Sequence, residues 1–187
     1  MREHCIVAMC ANEEIVPDSR EDFSDLLKYF PFDLDRLPAL RHFKLKLPTA
    51  LGYILSVPSY LSRLFSIPSS TSCLETLELL IHSWCHVEEE DAILEEPFSS
   101  NAEWDTLDEV LAEKFVSLGK FVLGWNLQVY FVLDRDHREV TDDFRSSSLA
   151  EYQILGLSYV NDLFPKLRRG QCTLETQFTV SSSYSLH

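Results

Sequence analysis

Glycine is scarce in this chain, five in 187 residues, and none belongs to a glycine-rich phosphate loop, so Walker-type and dinucleotide-binding sites are excluded. A Gly-x-Ser-x-Gly nucleophile elbow is missing as well. No apolar run approaches the roughly 18 residues that a membrane span needs. The short stretch Cys5–Ala11 runs straight into Glu13 and Glu14 and makes a poor secretory signal. Basic residues are few: 16 Lys and Arg stand against 30 Asp and Glu, for a formal charge of −14. That balance argues against nucleic acid and leaves a basic partner, or plain solubility, as the reason for the acidity. Five cysteines, an odd number with no tight framework, fit a reducing compartment. The expected location is cytoplasmic or nuclear, with no membrane and no nucleic-acid partner.

What the chain does have is core-forming material, 45% hydrophobic and 12% aromatic residues, enough for one sizeable domain. Four segments repeat an apolar residue at i, i+3 and i+5: Leu40-Phe43-Leu45, Leu74-Leu77-Leu79, Leu118-Phe121-Leu123 and, in a degenerate form, Leu167-Gly170-Cys172. Each gap between them holds a helical crossover back to a parallel strand. The expectation is an α/β, leucine-rich-repeat-like solenoid fragment of parallel strands with irregular helical crossovers. Residues 1–22 read as an irregular lead-in compatible with disorder, 23–178 as the repeat domain, and 179–187 as a flexible, serine-rich tail.

Within the domain the spacing predicts a short helix over Phe23–Leu34, a strand over Arg41–Leu47 ended by Pro48, and helix around Thr49–Phe65, broken or kinked near Pro58. A second strand follows over Leu74–His82. The acidic run Val87–Asp91, with Glu95 and Glu96, reads as a solvated loop. Ser100-x-x-Glu103 has the form of a capping box opening a helix with Trp104, Leu107, Leu111 and Phe115 on one face. Leu118–Leu133 reads as strand, with Gly124 a bulge or break. A long helix carries Leu149, Tyr152, Tyr159 and Leu163 and stops before Pro165, and a final strand spans Arg169–Leu174.

Sharper chemistry has few footholds. His82-Ser83-Trp84-Cys85-His86 collects three soft-metal ligands but lacks the paired spacing of a zinc site, and nothing in sequence brings His4, Cys5 or Cys10 near it. Cys85 with His86, or Cys172 with His137, would be a nucleophile and base without a third group to orient them. Asp134-x-Asp136 with Asp142-Asp143 lacks the glycine and spacing of a calcium loop. No catalytic residue, metal ligand or cofactor is therefore expected. The alternatives are a small metal-dependent or cysteine enzyme around His82–His86, and a truncated fragment without independent function. Such a fragment would expose an apolar end.

Strand alternation points instead to one face of the sheet. With the apolar positions inward, the open face carries the rows His42-Thr76-Lys120-Arg169, Lys44-Glu78-Val122-Gln171 and Lys46-Leu80-Gly124-Thr173. The candidate protein-binding residues are Lys44, Lys46, Glu78, Leu80, Lys120, Val122, Gln171 and Thr173. Lys44 is expected to neighbour Glu78, and exposure of Leu80 and Val122 would make an apolar anchor patch.

Leu37-Pro38-x-Leu40 before a strand, Cys73-Leu74-Glu75-Thr76-Leu77-Glu78-Leu79 in the next, Trp104-x-x-Leu107-x-x-x-Leu111, and Phe164-Pro165-x-Leu167-x-x-Gly170 form an ordered profile. Over roughly residues 35–178 it resembles the C-terminal leucine-rich-repeat-like region of the F-box-type protein families of mushroom-forming fungi. The resemblance implies substrate recognition for a ubiquitin ligase. In that family an N-terminal F-box docks on the cullin-ligase adaptor while the repeats select the substrate. No Leu-Pro-x-Glu-Ile/Leu-like F-box opening precedes Leu37. The chain thus reads as a recognition half, with a protein partner expected and the adaptor not.

Overall fold

The computed structural model describes residues 4–8, 39–66, 73–87, 98, 101–132 and 140–185. Five strands, β1 (His4–Ala8), β2 (His42–Ala50), β3 (Thr76–Val87), β4 (Lys120–Val132) and β5 (Thr173–Ser185), form one sheet in which spatial order follows chain order. All four pairings are parallel. Between β2 and β3 lies helix α1 (Ser56–Ser66), preceded by a 3-10 turn at Leu51–Tyr53. Helix α2 (Ala102–Lys114) links β3 to β4, while α3 (Asp142–Asp162) and the short α4 (Pro165–Arg169) link β4 to β5. The architecture is α/β with a parallel sheet, as the spacing of the apolar patterns implies.

Period-two alternation decides what is inside. Phe43, Leu45 and Leu47 of β2, Leu77, Leu79 and Ile81 of β3, and every odd position from Phe121 to Phe131 of β4 are buried, while the even positions of these strands are not. The helices bring Leu61, Leu64 and Phe65 of α1, Trp104, Leu107 and Leu111 of α2, and Tyr152, Tyr159 and Val160 of α3 into the same cluster. Aromatic edges meet faces throughout this layer: Phe65 lies 6.2 Å from Phe43 and 5.5 Å from Phe115, and Phe121 lies 4.7 Å from Phe164. The buried Trp125 indole donates a 2.7 Å hydrogen bond to Ser83 Oγ across β3 and β4, so its polar tip is satisfied inside the core.

Several boundaries differ from the sequence reading. Residues 4–8 of the lead-in are a strand, paired with His42–Lys46. Pro48 does not end β2. The Arg41 carbonyl accepts from Thr76 N, which turns the odd residues of β2 toward β3 and the missing N–H of Pro48 toward the β1 side, past the last β1 pairing. β3 runs on to Val87, and β4 passes through Gly124 without a break because Leu80 of β3 leans over it; a Cβ there would lie 2.8 Å from Leu80 Cδ2. Helix α2 starts at Ala102 with Asn101 at its N-cap and no side-chain cap bond. Ser100, the Phe23–Leu34 helix, the acidic loop from Glu88 to Glu96, and Asp134, Asp136 and His137 lie outside the described residues.

The largest correction concerns the last strand. The degenerate repeat Leu167-Gly170-Cys172 is not in it: Pro165–Arg169 is helical, and β5 begins at Thr173 and continues through the serine-rich segment to Ser185. Asp108 of α2 explains the capture. Only 1% exposed, its carboxylate accepts the backbone N–H groups of Lys166 (2.6 Å) and Leu167 (3.0 Å), capping α4 from a neighbouring helix. Phe164 just before it takes a left-handed backbone (φ 61°), a cost of about 1–2 kcal/mol for a non-glycine residue. Its fully packed ring, against Trp104 and Phe121, offsets that cost. On α3, Gly156 lets the Phe178 ring of β5 approach so closely that a Cβ would lie 2.1 Å from it.

Both contacts are testable by chemical denaturation. Asp108→Ala is expected to lower the unfolding free energy by about 1–3 kcal/mol, since two buried N–H groups lose their acceptor, and Asp108→Asn by less. Gly156→Ala is expected to destabilise by about 1–3 kcal/mol despite alanine's better helix propensity, because the ring has to move.

Candidate functional site on the open sheet face

The face of the sheet opposite the helices is a ladder of registered rows. Starting at the N-terminal ends of the strands, they read His42-Thr76-Lys120-Thr173, Lys44-Glu78-Val122-Glu175, Lys46-Leu80-Gly124-Gln177, Pro48-His82-Asn126-Thr179, Ala50-Trp84-Gln128-Ser181 and His86-Tyr130-Ser183. The first three strands stand in the expected register. On the fourth, Glu175 rather than Gln171 neighbours Val122, and Gln177 rather than Thr173 neighbours Gly124. Thr173 instead sits beside Lys120, the place expected for Arg169, and Gln171 lies in the exposed turn after α4. The four-residue displacement is even, so Thr173 keeps its face and only its neighbours change.

The first half of the face is charged and internally paired. Lys44 Nζ lies 2.6 Å from Glu78 Oε2, the pair expected from parallel register. Lys120 reaches diagonally to Glu175 at 2.8 Å, and Arg41 pairs with Glu75 at the strand entrance. Partly exposed pairs of this kind contribute about 0–1 kcal/mol each, so their effect is on surface charge more than on stability. Three lysines (Lys44, Lys46, Lys120) face two glutamates (Glu78, Glu175) on this surface. Among the described residues the sheet face is therefore close to neutral.

Among the described residues the second half carries no Lys, Arg, Asp or Glu, and it holds the side chains that sequence reasoning missed. Trp84 is 36% exposed, the most open large apolar residue among the described side chains of this face, whereas Leu80 and Val122 are both half-buried. His86 stacks on Tyr130 across the β3–β4 pair, with ring centroids 5.3 Å apart and planes 24° from parallel. Beside them Ser181 Oγ donates to Gln128 Oε1 (2.7 Å), and Gln128 Nε2 donates to Ser183 Oγ (3.0 Å). The signal that could have found this patch was the alternation itself, continued beyond His82, which sends His82, Trp84 and His86 outward.

The same alternation separates the chemistry suggested by His82–His86. Cys85 is buried on the helix-packed face while His82 and His86 are exposed on the other, so the sheet lies between thiol and imidazole. Burial pushes the Cys85 thiol up to about 11, against an opposing hydrogen bond with Tyr152. That is opposite to what an activated nucleophile needs. Among the described residues no group of three or more His, Cys, Asp and Glu side chains is placed to hold a metal ion, and no helix is long and apolar enough to cross a membrane. Compared with family models, curated proteins and solved structures, the chain matches none.

The buried thiol carries a pH prediction. The folded value of Cys85 lies above its ordinary 9.0, so an unfolded chain loses the proton first. Stability is fully present below about pH 9 and falls as pH rises toward 11. Burial raises Tyr159, Tyr60 and Cys172 as well and adds to the alkaline loss. Thermal midpoints measured across this window are expected to drop in the wild type and to drop less in Cys85→Val. At pH 8, site-resolved alkylation is expected to modify exposed Cys73 far faster than Cys85.

Proposed function

We propose that this chain is a non-enzymatic protein-recognition module that holds its partner across the open face of a leucine-rich-repeat-like sheet. One observation carries the reading: among the described residues the sheet is wholly parallel, yet its helices pack on one face and the other stays bare. Parallel sheets are ordinarily covered on both faces because their crossovers supply helices to each. A parallel sheet bare on one side leaves a broad ladder of side chains for another macromolecule, which is how horseshoe-shaped repeat proteins bind. Strand order following chain order, with each crossover returning to an adjacent strand, supports the solenoid reading.

The resemblance of the Leu-Pro, Cys-Leu-Glu-Thr-Leu-Glu-Leu and Phe-Pro segments to fungal F-box-type proteins supplies the biological context. On that reading the bound protein is a candidate for ubiquitin transfer, in the cytoplasm or nucleus. Among its described residues the face is nearly neutral, which argues against selection of the partner by positive charge.

Photocrosslinking tests this directly. A benzophenone side chain placed at His82 or Gln177, both exposed on the open face, is expected to capture a discrete protein adduct from the organism's lysate. The same group at Ser147, exposed on α3, is expected to capture none. Equal labelling from both faces would overturn the proposal. Cullin-ligase adaptor among the open-face adducts would extend the F-box analogy to the ligase itself.

A further inference from the structure

The outer edge of β5 presents a second surface, and the pattern of its residues is symmetric about the middle of the strand. We infer that β5 pairs antiparallel with β5 of a second copy of this chain about a two-fold axis at Thr179, joining two sheets into one and setting α3 against its symmetry mate. This surface is separate from the open face and from whatever that face binds.

Backbone direction gives the first argument. Thr173 N donates to Gly119 O (2.8 Å), so the odd-numbered backbone groups of β5 face β4 and the even-numbered ones, from Leu174 to Tyr184, face outward. Among the described residues one hydrogen bond reaches these outward groups, from Gln153 Nε2 to the Phe178 carbonyl (3.1 Å). That carbonyl keeps a second lone pair for another donor. The strand Thr173–Ser185 contains no Lys and no Pro and pairs with β4 without a bulge, so it lacks the devices that ordinarily blunt an edge. Outward donors and acceptors at this spacing are complementary to another extended strand.

Side-chain symmetry says which strand. Rotated about Thr179, apolar positions fall on apolar positions: Leu174 opposite Tyr184 and Phe178 opposite Val180, with Thr176 opposite Ser182 between them. The same register overlaps the whole of β5 and keeps even residues opposite even ones, as pairing through the outward groups requires. On the open face Glu175, the one charged residue of the strand, meets Ser183, so no like charges are opposed. A register centred on Phe178 would instead set Leu174 against Ser182 and Val180 against Thr176.

Helix α3 adds the second layer. Gln153, Leu157 and Asn161 form one i, i+4 row. Gln153 bonds the outward Phe178 carbonyl and Asn161 Oδ1 accepts from Thr176 Oγ1 (3.2 Å), so the row overlooks the outer side of β5. Leu157 within it is 40% exposed and the neighbouring Ile154 69%. Nearer the axis the same flank carries Ser146 and Ala150, both exposed and small enough for two helices to approach closely. Charge is complementary along the flank. Arg145 reaches Ser182 Oγ (3.1 Å), while Asn161, followed by the exposed Asp162, stands at Thr176, and the rotation brings Ser182 opposite Thr176. Arg145 of one copy therefore lies beside Asn161 and Asp162 of the other. A strand flank about 43 Å long and about 10 Å deep, with a helix flank about 31 Å long and about 11 Å deep, offers about 800 Å² per copy, the size of a standard interface.

Sedimentation equilibrium of the whole protein is expected to move from 21.6 kDa toward twice that mass over micromolar concentrations and to stop there. Thr179 is exposed and meets its own mate in a pair whose Cα atoms lie about 4.5 Å apart. Thr179→Glu and Thr179→Lys are therefore each expected to weaken the dimer about tenfold or more, while an equimolar mixture of the two dimerises at least as well as the wild type. Leu157→Ala is expected to weaken it about tenfold from the helix side. Unchanged circular dichroism of the monomeric variants shows that the fold is intact. Gln177 falls opposite Ser181 of the second copy, so purified protein with benzophenone at Gln177 is expected to give a self-adduct of twice the chain mass, and with benzophenone at His82, on β3, none.

A chain that stays monomeric at millimolar concentration, a mass that grows past the dimer, single charge variants that dimerise like the wild type, or a mixture that stays monomeric overturns the inference. None of these outcomes touches the open-face reading, which the His82 adduct tests by itself.

Discussion

Parallel, in-register pairing of Thr76–Val87 with Lys120–Phe131 is the constraint on which the rest of this protein depends. Once these two strands are locked, the two-residue period sends Leu77, Leu79, Ile81, Phe121, Leu123 and Trp125 to one side, and the helices have a single apolar surface to cover. A slip of one residue would exchange that row for Glu78, His82, Lys120 and Asn126. The burial of the odd positions therefore holds the register, and the register in turn aligns the even positions into rows. Core and candidate binding face are two consequences of one alignment.

Polar groups pin the parts that apolar packing leaves undetermined. Trp125 bonding Ser83 ties β4 to β3 inside the core. Asp108 holds the start of α4 against α2, and the tight seat of Phe178 on Gly156 sets how closely α3 approaches β5. At the outer edge of that strand, Gln153 of α3 donates to the Phe178 carbonyl (3.1 Å), while Arg145 reaches Ser182 Oγ and lies over the Tyr184 ring, 5.3 Å from its centroid. Side chains thus tend backbone and hydroxyl groups that an additional strand would otherwise satisfy.

Much of this was legible in the chain because β2, β3 and β4 carry strong, unambiguous periods. Leu40-Phe43-Leu45, Leu74-Leu77-Leu79 and Leu118-Phe121-Leu123 place three strands, their parallel sense and the pairing of Lys44 with Glu78. The fourth copy was not legible, because Leu167-Gly170-Cys172 is a degenerate pattern. A five-residue helix competes for the same residues and is stabilised by a carboxylate nearly sixty positions earlier. The aromatic half of the face was hidden for a simpler reason. His82–His86 invites a ligand-by-ligand reading, and only the continuation of β3 to Val87 shows that its members alternate between opposite sides.

By itself the amino-acid sequence determined the acidic balance, the α/β alternation, the lack of nucleotide and nucleophile-elbow motifs, and which strand residues turn inward, since these follow from composition and short-range periodicity. Only the tertiary structure decided where β5 begins, that Pro48 is tolerated within β2, and that Trp84, Gln128 and Tyr130 share one uncharged surface with Cys85 behind it. Those outcomes depend on which distant groups meet across the sheet and between helices, and contacts between residues more than thirty positions apart leave no local period to read.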